Sequence, residues 1–337
     1  MTTRLKDIAE KLNISLSTVS KALSNHPKIS TKTKEKVLNI TRELNYQPNL
    51  IARSLKLKKT KTIGIIIGDI TNPFYAEILK GSENIANLNG MSIILCNSDY
   101  NYDKELEYIN VLMAKKVDGI LLTPSSNRNS LEFLRKADTP FVIMDALPDP
   151  EIPHNCVYTD HYYGTYTAIK YLIDLGHTKI VLINGPSFIT SCKQVELGFL
   201  KAMCENNIEV KNEYLIEGNL KIQDSFKAME KLLKLKDNKL PTAIFINSDE
   251  AAIGVYGAIY STGRRIPEDF SIIGYDDIPG SKYLSPPLTT ISQEKNQLGI
   301  LSMNILIEEI NGPKNFENKI IKLTPNLVIR KSTSIIK

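Results

Sequence analysis

Over the first 45 residues apolar positions return with a helical period. Leu5, Ile8, Ala9 and Leu12 stand at i, i+3, i+4 and i+7, which predicts a short amphipathic helix over Leu5–Leu12. Thr3 is placed to cap it, and Asp7 suits the positive end of its dipole. Asn13, a residue that tolerates left-handed backbone, then stops the helix. Ser15 can cap a second helix, in which Leu16, Val19 and Leu23 recur beside Ala22. Ser30 caps a third, from about Thr31 to Leu44, with Val37, Ile40 and Leu44 closing a small core. Two short helices joined by a three- or four-residue turn, with small Ala9 letting them cross closely, form a helix-turn-helix.

Beyond Lys61 the pattern changes. Apolar runs at Ile63–Ile67, Ser92–Cys96, Gly119–Leu122, Phe141–Met144, Ile180–Ile183, Tyr214–Ile216, Ala243–Ile246 and Ser271–Ile273 alternate with helical stretches. Strands that are apolar on both faces belong to parallel sheets covered by helices on both sides. The expected class is therefore α/β, and the stretch is too long for one compact sheet. Two lobes with a cleft between them are expected.

The charge divides the chain at the same place. Residues 1–60 hold 13 Lys and Arg against 4 acids, a net +9, while the remainder carries 29 against 33, a net −4, within a total of +5. A basic head on a mildly acidic body points to a polyanion as the partner of the head alone. On the second helix Leu16, Ser17 and Lys21 face away from the packing side. Lys21 suits guanine O6 and N7, Ser17 various base edges, and Leu16 a thymine methyl in a major groove. Thr18 and Ser20 suit phosphate oxygens, which fix register rather than sequence.

Composition and motifs exclude more than they assign. The 337 residues, 42% apolar and 23% charged, are ordinary globular composition. No apolar run approaches a membrane span, and Lys6 and Asp7 interrupt any signal-peptide core, so a cytoplasmic protein is expected. Cys96, Cys156, Cys192 and Cys204 lie far apart, as do the four histidines, so buried reduced thiols rather than a metal site are expected. No dinucleotide or P-loop glycine pattern follows a strand, and no paired acid and base or nucleophile elbow occurs, so neither cofactor nor catalysis is expected. Polar residues instead collect after strand ends, where open α/β sheets bind ligands. These are Asp69, Asn72, Phe74 and Tyr75, then Asp145, then Ser248 and Asp249, then Asp276 and Asp277. Each alone also suits a helix N-cap; their recurrence favours a cleft for a hydroxylated molecule.

The segment LKDIAEKLNISLSTVSKALSNHPKISTKTKEKVLNITRELNYQPNLIARSLK resembles the DNA-binding head of LacI/GalR-type bacterial regulators, most tellingly at Asn45-Tyr46-Gln47-Pro48-Asn49 and Ala52-Arg53-Ser54-Leu55. The resemblance implies a hinge helix after Pro48 that orders on operator DNA, with Leu55 the residue wedged into the central minor groove. It adds Tyr46, Asn49, Ala52, Arg53, Leu55 and Lys56 to the DNA-facing set. Independently, Pro48 breaks the third helix, Asn49 can cap the next segment, and a helix this short is marginal in water by itself. Its ordering on DNA is then a cost that a ligand in the body can manipulate.

The body is similar to the periplasmic-binding-protein-like core of the same family in DITNPFYAEILKG, DGILL, LGHTKIVLING, PTAIFINSDEAAIG, IIGYDD and PPLTTISQ. The resemblance implies a head at 1–47, a hinge and linker at 48–60 and a core at 61–337. Within the core it implies an N-lobe of about 62–160 and 293–322 and a C-lobe of about 161–290 and 323–337. Its effector contacts fall on Asp69, Asn72, Phe74, Asp145, Ser248, Asp249 and Asp276. Two departures bear on the effector: the arginine of many sugar-binding members is Val195 here, and a common aromatic is Leu220. Lys193 or Gln194 is the nearest substitute for that cation. IILCNSDYNYDKELEYINVLMAKKVDGIL is close to catabolite control proteins, whose corepressor is a phosphorylated carrier protein, but the arginine such proteins place before the PxLT proline is Ser285.

The expected function is thus a repressor binding a near-palindromic operator as a homodimer, under allosteric control by a sugar, sugar derivative or nucleobase. The tail after Arg330 is short and lacks heptads, which favours a dimer over a tetramer. A phosphoprotein-controlled regulator, a solute-binding module and an enzyme are the weaker readings.

Overall fold

The computed structural model describes residues 4–46, 59–125, 128–313 and 317–336. They belong to two compact units that divide between Thr60 and Lys61.

In the first unit, α1 (Leu5–Leu12), α2 (Leu16–Leu23) and α3 (Thr31–Glu43) bury Ile8, Ala9, Val19, Ala22 and Val37 against one another. Half-buried Leu5, Leu12, Ile14, Leu23, Ile40, Leu44 and Tyr46 seal the edges of this core. Ser15 Oγ accepts from the Thr18 amide at 3.1 Å and Ser30 Oγ from the Thr33 amide at 3.3 Å, so both serines cap as expected. The start of α1 differs: Arg4 is its N-cap residue, and Asp7 reaches back to accept the Arg4 amide at 2.7 Å. One carboxylate thereby satisfies an orphan donor and meets the dipole; Thr3 lies outside the described residues. Asn13 is left-handed (φ 49°), and the Ile14 amide closes the turn on the Ala9 carbonyl at 3.1 Å.

The second unit holds two six-stranded sheets. The first lobe runs β1 (Thr62–Ile67), α4 (Pro73–Leu88), β2 (Ser92–Asn97), α5 (Tyr102–Ala114), β3 (Gly119–Leu122), α6 (Arg128–Lys136), β4 (Phe141–Met144) and β5 (Asn155–Thr159). The second runs α7 (His161–Asp174), β6 (Ile180–Asn184), α8 (Thr190–Glu205), β7 (Leu215–Glu217), α9 (Ile222–Leu233), β8 (Ala243–Ile246), α10 (Asp249–Ser261), β9 (Ser271–Asp276) and β10 (Thr289–Ser292). The chain then returns to the first lobe with α11 (Lys295–Asn311) and β11 (Ile320–Leu323), and crosses once more to end the second sheet with β12 (Asn326–Val328). Strand orders are β11-β5-β4-β3-β1-β2 and β12-β10-β9-β8-β6-β7. Pairing is parallel throughout except where β12 runs antiparallel to β10.

The central strands were legible because both faces are covered: Ile63, Ile65, Ile66 and Ile67 are all fully buried. Four strands have no such run. β5 reads NCVYT and β10 reads TTIS, with Asn155, Thr289 and Thr290 buried on hydrogen-bond partners from elsewhere in the chain, and β11 and β12 are short edge strands. Tyr214 belongs to a short 3-10 turn before β7 rather than to the strand. Cys204 is exposed, a correction to the expectation that all four thiols are buried; it sits on the solvent side of α8.

α4 and α11 pack almost backbone to backbone. A Cβ at Gly81 would lie 2.2 Å from the Asn296 carbonyl oxygen, and one at Gly299 would lie 2.0 Å from that of Ile78. This close approach seats the start of α11, and with it the residues where the chain changes lobe. Among the described residues no helix is long and apolar enough to cross a membrane.

Candidate functional site

On the head, α2 presents one face outward. Val19 and Ala22 turn into the core, while Leu16 (49% exposed), Ser17 and Lys21 stand in solvent. Thr18 and Ser20 are half-buried, and the Thr18 hydroxyl shares a 2.9 Å hydrogen bond with that of Ser15, so it belongs to the helix cap as well as to the surface. Tyr46 packs its ring on the core. Lys6 and Lys11 are paired with Glu10 and Glu43, at 3.3 and 2.5 Å. The remaining DNA-facing candidates, Asn49, Ala52, Arg53, Leu55 and Lys56, lie outside the described residues.

On the body, the carboxyl ends of both sheets face a common cleft, the place where open α/β sheets bind ligands. The first lobe contributes Asn72, Phe74 and Tyr75 from the start of α4, Tyr100 from the turn after β2, Thr123 and Pro124 after β3, and Asp145 after β4. The second contributes His161 at the start of α7, Ile189 to Cys192 at the start of α8, Leu220 after β7, Asn247 and Ser248 after β8, and Tyr275 and Asp276 from β9. Gln293 stands at the crossing after β10. The walls of the cleft combine aromatic faces with polar side chains, the kind of lining that holds a small molecule.

The walls are preorganised. Asn72 caps α4 through its carbonyl oxygen, which accepts the Phe74 amide at 2.9 Å. The rings of Phe74 and Tyr75 meet edge-on at 5.0 Å, and the Tyr75 and Tyr100 hydroxyls share a 3.2 Å hydrogen bond. A chain of contacts crosses between the lobes: Asp145 Oδ1 lies 3.0 Å from His161 Nε2, and His161 Nδ1 lies 3.1 Å from the Tyr275 hydroxyl. Asp276 Oδ1 accepts from Gln293 Nε2 at 2.8 Å. Burial, together with the charge of neighbouring Asp249, pushes the Asp276 carboxyl well above its ordinary value. Burial likewise raises the Cys192 thiol to about 12. Tyr100, Asp145, Leu220 and Asp276 all have left-handed backbone (φ 54°, 56°, 58° and 108°), a concentration of strain typical of a functional cleft.

Three expected effector contacts are placed elsewhere. Asp249 is fully buried, with Oδ1 accepting from Thr290 Oγ1 at 2.6 Å and Oδ2 from the Ile278 amide at 3.0 Å. It fastens β10 and the loop after β9 to the start of α10 and does not line the cleft. Lys193 is exposed on the outer side of α8, because the helical period that brings Cys192 to the cleft turns its neighbour to solvent. Asp69 is buried beside the cleft rather than in its wall. Its Oδ1 accepts from the Thr71 amide and hydroxyl at 3.0 and 2.7 Å, and its Oδ2 pairs with Lys221 of the opposite lobe. Burial acts to raise the Asp69 carboxyl, but the bonds from Lys221 and Thr71 outweigh it and hold the group below its ordinary value.

Several lining residues escaped the sequence reading. His161 lies two residues after β5 and Gln293 directly after β10, strands without an apolar run, so their position at strand ends was hidden. Tyr100 carries no local signal, and Leu220 stands out only as a departure from a common aromatic. Thr123 Oγ1 and Gln293 Oε1 are buried and have no hydrogen-bond partner. Among the described residues no group of acids, histidines and cysteines is arranged to hold a metal.

Comparison with known proteins places both units. Residues 4–49 match the model described as bacterial regulatory proteins, lacI family, and residues 169–333 match the periplasmic binding protein-like domain. The HTH-type transcriptional repressor PurR of Photobacterium profundum is 39% identical over 330 residues, 97% of this chain and 98% of that one. PurR of Pasteurella multocida is 40% identical over 331 residues, again 97% of this chain and 98% of its own length. Among solved structures, the lac repressor dimer bound to operator and the anti-inducer ONPF superposes with a TM-score of 0.88 at 28% identity, covering 99% of this chain and all of that one. A LacI family regulator from Enterococcus faecalis with bound ribose is 35% identical, with a TM-score of 0.72, over 82% of this chain and all of its own. The chain belongs to the lacI family of bacterial regulatory proteins.

Proposed function

We propose that this chain is a sequence-specific transcriptional repressor, acting in the cytoplasm as a homodimer on a near-palindromic operator, whose grip is set by a small molecule held between the lobes. The observation that carries the proposal is a single chain joining a basic helix-turn-helix, with the start of α2 bare, to a two-lobed body whose cleft is built from strand ends of both lobes. Similarity to PurR repressors over 97% of the chain supports it, as does likeness to the operator-bound lac repressor dimer.

In this reading 1–47 is the head, 48–60 the hinge and 61–337 the sensor. Leu16, Ser17 and Lys21 read bases, Thr18 and Ser20 hold phosphates, Tyr46 braces the head, and Asn49, Ala52, Arg53, Leu55 and Lys56 form the minor-groove element. Asn72, Phe74, Tyr75, Asp145, Ser248 and Asp276 line the effector site, a revision that leaves out Asp69, Lys193 and Asp249. The effector acts by its different affinity for the two lobe arrangements.

Catalysis is not part of this reading. A thiol raised to about 12 leaves Cys192 protonated and unreactive at neutral pH, and His161 is committed on both ring nitrogens. Control by a phosphorylated carrier protein is disfavoured by Ser285, whose carbonyl oxygen accepts from the Tyr260 hydroxyl where a phosphate-binding arginine would be needed.

The test is selection of bound duplexes from genomic fragments, followed by titration with and without a metabolite panel. A palindromic site whose affinity moves with one metabolite and falls steeply with salt is expected. Equal affinity for the selected site and random duplex under every metabolite would refute the reading.

A further inference from the structure

Two walls of the cleft are tied together by one buried ammonium that does not itself line it. Lys295 opens α11 and is 4% exposed. Its Nζ donates to the Asp276 carbonyl oxygen and, at 3.1 Å, to that of Asp277. Glu77 of α4 closes a third side, its Oε1 3.7 Å from the same nitrogen. Burying an ammonium is costly unless oxygens replace its water, and here those oxygens come from both lobes.

On the first-lobe side the nitrogen hangs from a stiff pair of helices. α11 meets α4 backbone to backbone at Gly81 and Gly299. Asn296 Nδ2 donates to the Glu77 carbonyl oxygen at 3.3 Å, and Ser82 Oγ donates to that of Gly299 at 3.2 Å. The start of α4 carries Phe74 and Tyr75, which face the ligand space.

On the second-lobe side Lys295 grips strained backbone. Asp276 and Asp277 are left-handed in succession, at φ 108° and 53°, a conformation that persists only where the surroundings hold it. The Asp277 side chain is braced within its own lobe, accepting from Arg330 at 2.5 Å, whereas both carbonyls reach across to α11. The lysine charge also bears on the Asp276 carboxyl, opposing the rise that burial and Asp249 cause.

We propose that Lys295 is a positioning residue of the effector site, which fixes the Asp276 wall of the second lobe against the α4 wall of the first so that both meet a ligand at one spacing. This rests on the reading of the cleft as the effector site.

Hydrogen exchange of the ligand-free full chain, followed by mass spectrometry, tests the proposal without an effector. Lys295→Met keeps an apolar stem of similar length and removes the donors and the charge. Exchange should quicken at least about tenfold in peptides over 275–278, where the Ile278 amide bonds to Asp249, while peptides over β6 and β8 keep wild-type rates. A lysine that merely supports the fold would quicken all of them together. Spin labels on exposed Cys204 of α8 and on Lys115→Cys beyond α5 should give a broader distance distribution with methionine at 295 than with lysine. Unchanged exchange over 275–278, a rise shared equally by β6 and β8, or identical distance distributions would each overturn the proposal. Should Lys295→Met not fold, Glu77→Gln decides. It removes only the carboxylate that faces the ammonium and should quicken exchange over 275–278 by about two- to threefold; wild-type rates there would overturn the assignment. The two failures are distinct: wild-type rates remove Lys295 from the site and leave the cleft as sensor, whereas a metabolite panel without effect on DNA binding removes the sensor whatever the rates.

Discussion

The ion pair between Asp69 of the first lobe and Lys221 of the second is expected to act as a latch between the lobes, and Lys221→Met tests it. The Lys221 side chain is 40% exposed while that of Asp69 is 6% exposed. Solvent screens the lysine, so the pair is worth less than a buried bridge; about 1 kcal/mol is the appropriate scale. The Thr71 amide and hydroxyl still satisfy one Asp69 oxygen after the substitution, which keeps the loss near that figure. One kilocalorie is roughly a fivefold change in the closed-to-open ratio. An effector that prefers the closed form should therefore lose up to about fivefold in apparent affinity.

The lobes can be watched directly. Cys204 is exposed on α8, while Cys96, Cys156 and Cys192 are buried, so a label on Cys204 and another on Lys115→Cys report the distance between lobes. Lys221→Met should broaden and lengthen the distance distribution of the ligand-free chain, and Asp69→Asn should do the same without adding to it in the double variant. Because the Asp69 carboxyl is held below its ordinary value, its contribution is complete above the usual carboxylate range. It is lost only as pH falls through that lowered value, so the effect is constant near neutrality. Identical distributions for wild type and Lys221→Met would refute the latch; a change in Asp69→Asn alone would assign the effect to the Thr71 turn.

Three further outcomes are expected. Burial raises the Asp249 carboxyl from 3.8 to about 7, so the stability tied to its protonated form is complete below about 4 and declines as pH rises through 7. Asp249→Asn should accordingly flatten the fall in melting temperature of the body between pH 5 and 8, and an unchanged slope would contradict this. Val19→Ala empties part of the head core, where Val19 is fully buried. About 2 kcal/mol is a large share of the stability of so small a unit, so DNA affinity should drop while the melting of the body stays put. Gly299→Ala drives a methyl against the Ile78 carbonyl oxygen and should cost ~1–3 kcal/mol of body stability, read in a urea melt, whereas alanine at exposed Gly263 touches nothing within 4 Å and should show only its backbone strain.

Local order explains why much of this was readable beforehand. The head declares itself because its caps, its left-handed Asn13 and its apolar period are fixed by residues at most four apart. The central strands declare themselves because helices cover both faces, leaving no polar alternation to confuse the pattern. Where a strand buries hydroxyls and amides instead, as Thr289, Thr290 and Asn155 do, composition misleads, since only partners distant in sequence such as Asp249 and Glu309 make those polar groups tolerable.

Sequence alone determined that a basic three-helix head precedes a doubled β/α body, and that acids and amides gather after its strands. Which of those acids face a ligand was decided only in three dimensions. Asp69, Asp145, Asp249 and Asp276 look alike along the chain, yet one pairs across the lobes, one holds a histidine, one ties a lobe together and one borders an unmet acceptor. The direction of a side chain at a strand end depends on the turn it enters and on the partner waiting there, and that partner arrives from as far as 152 residues away.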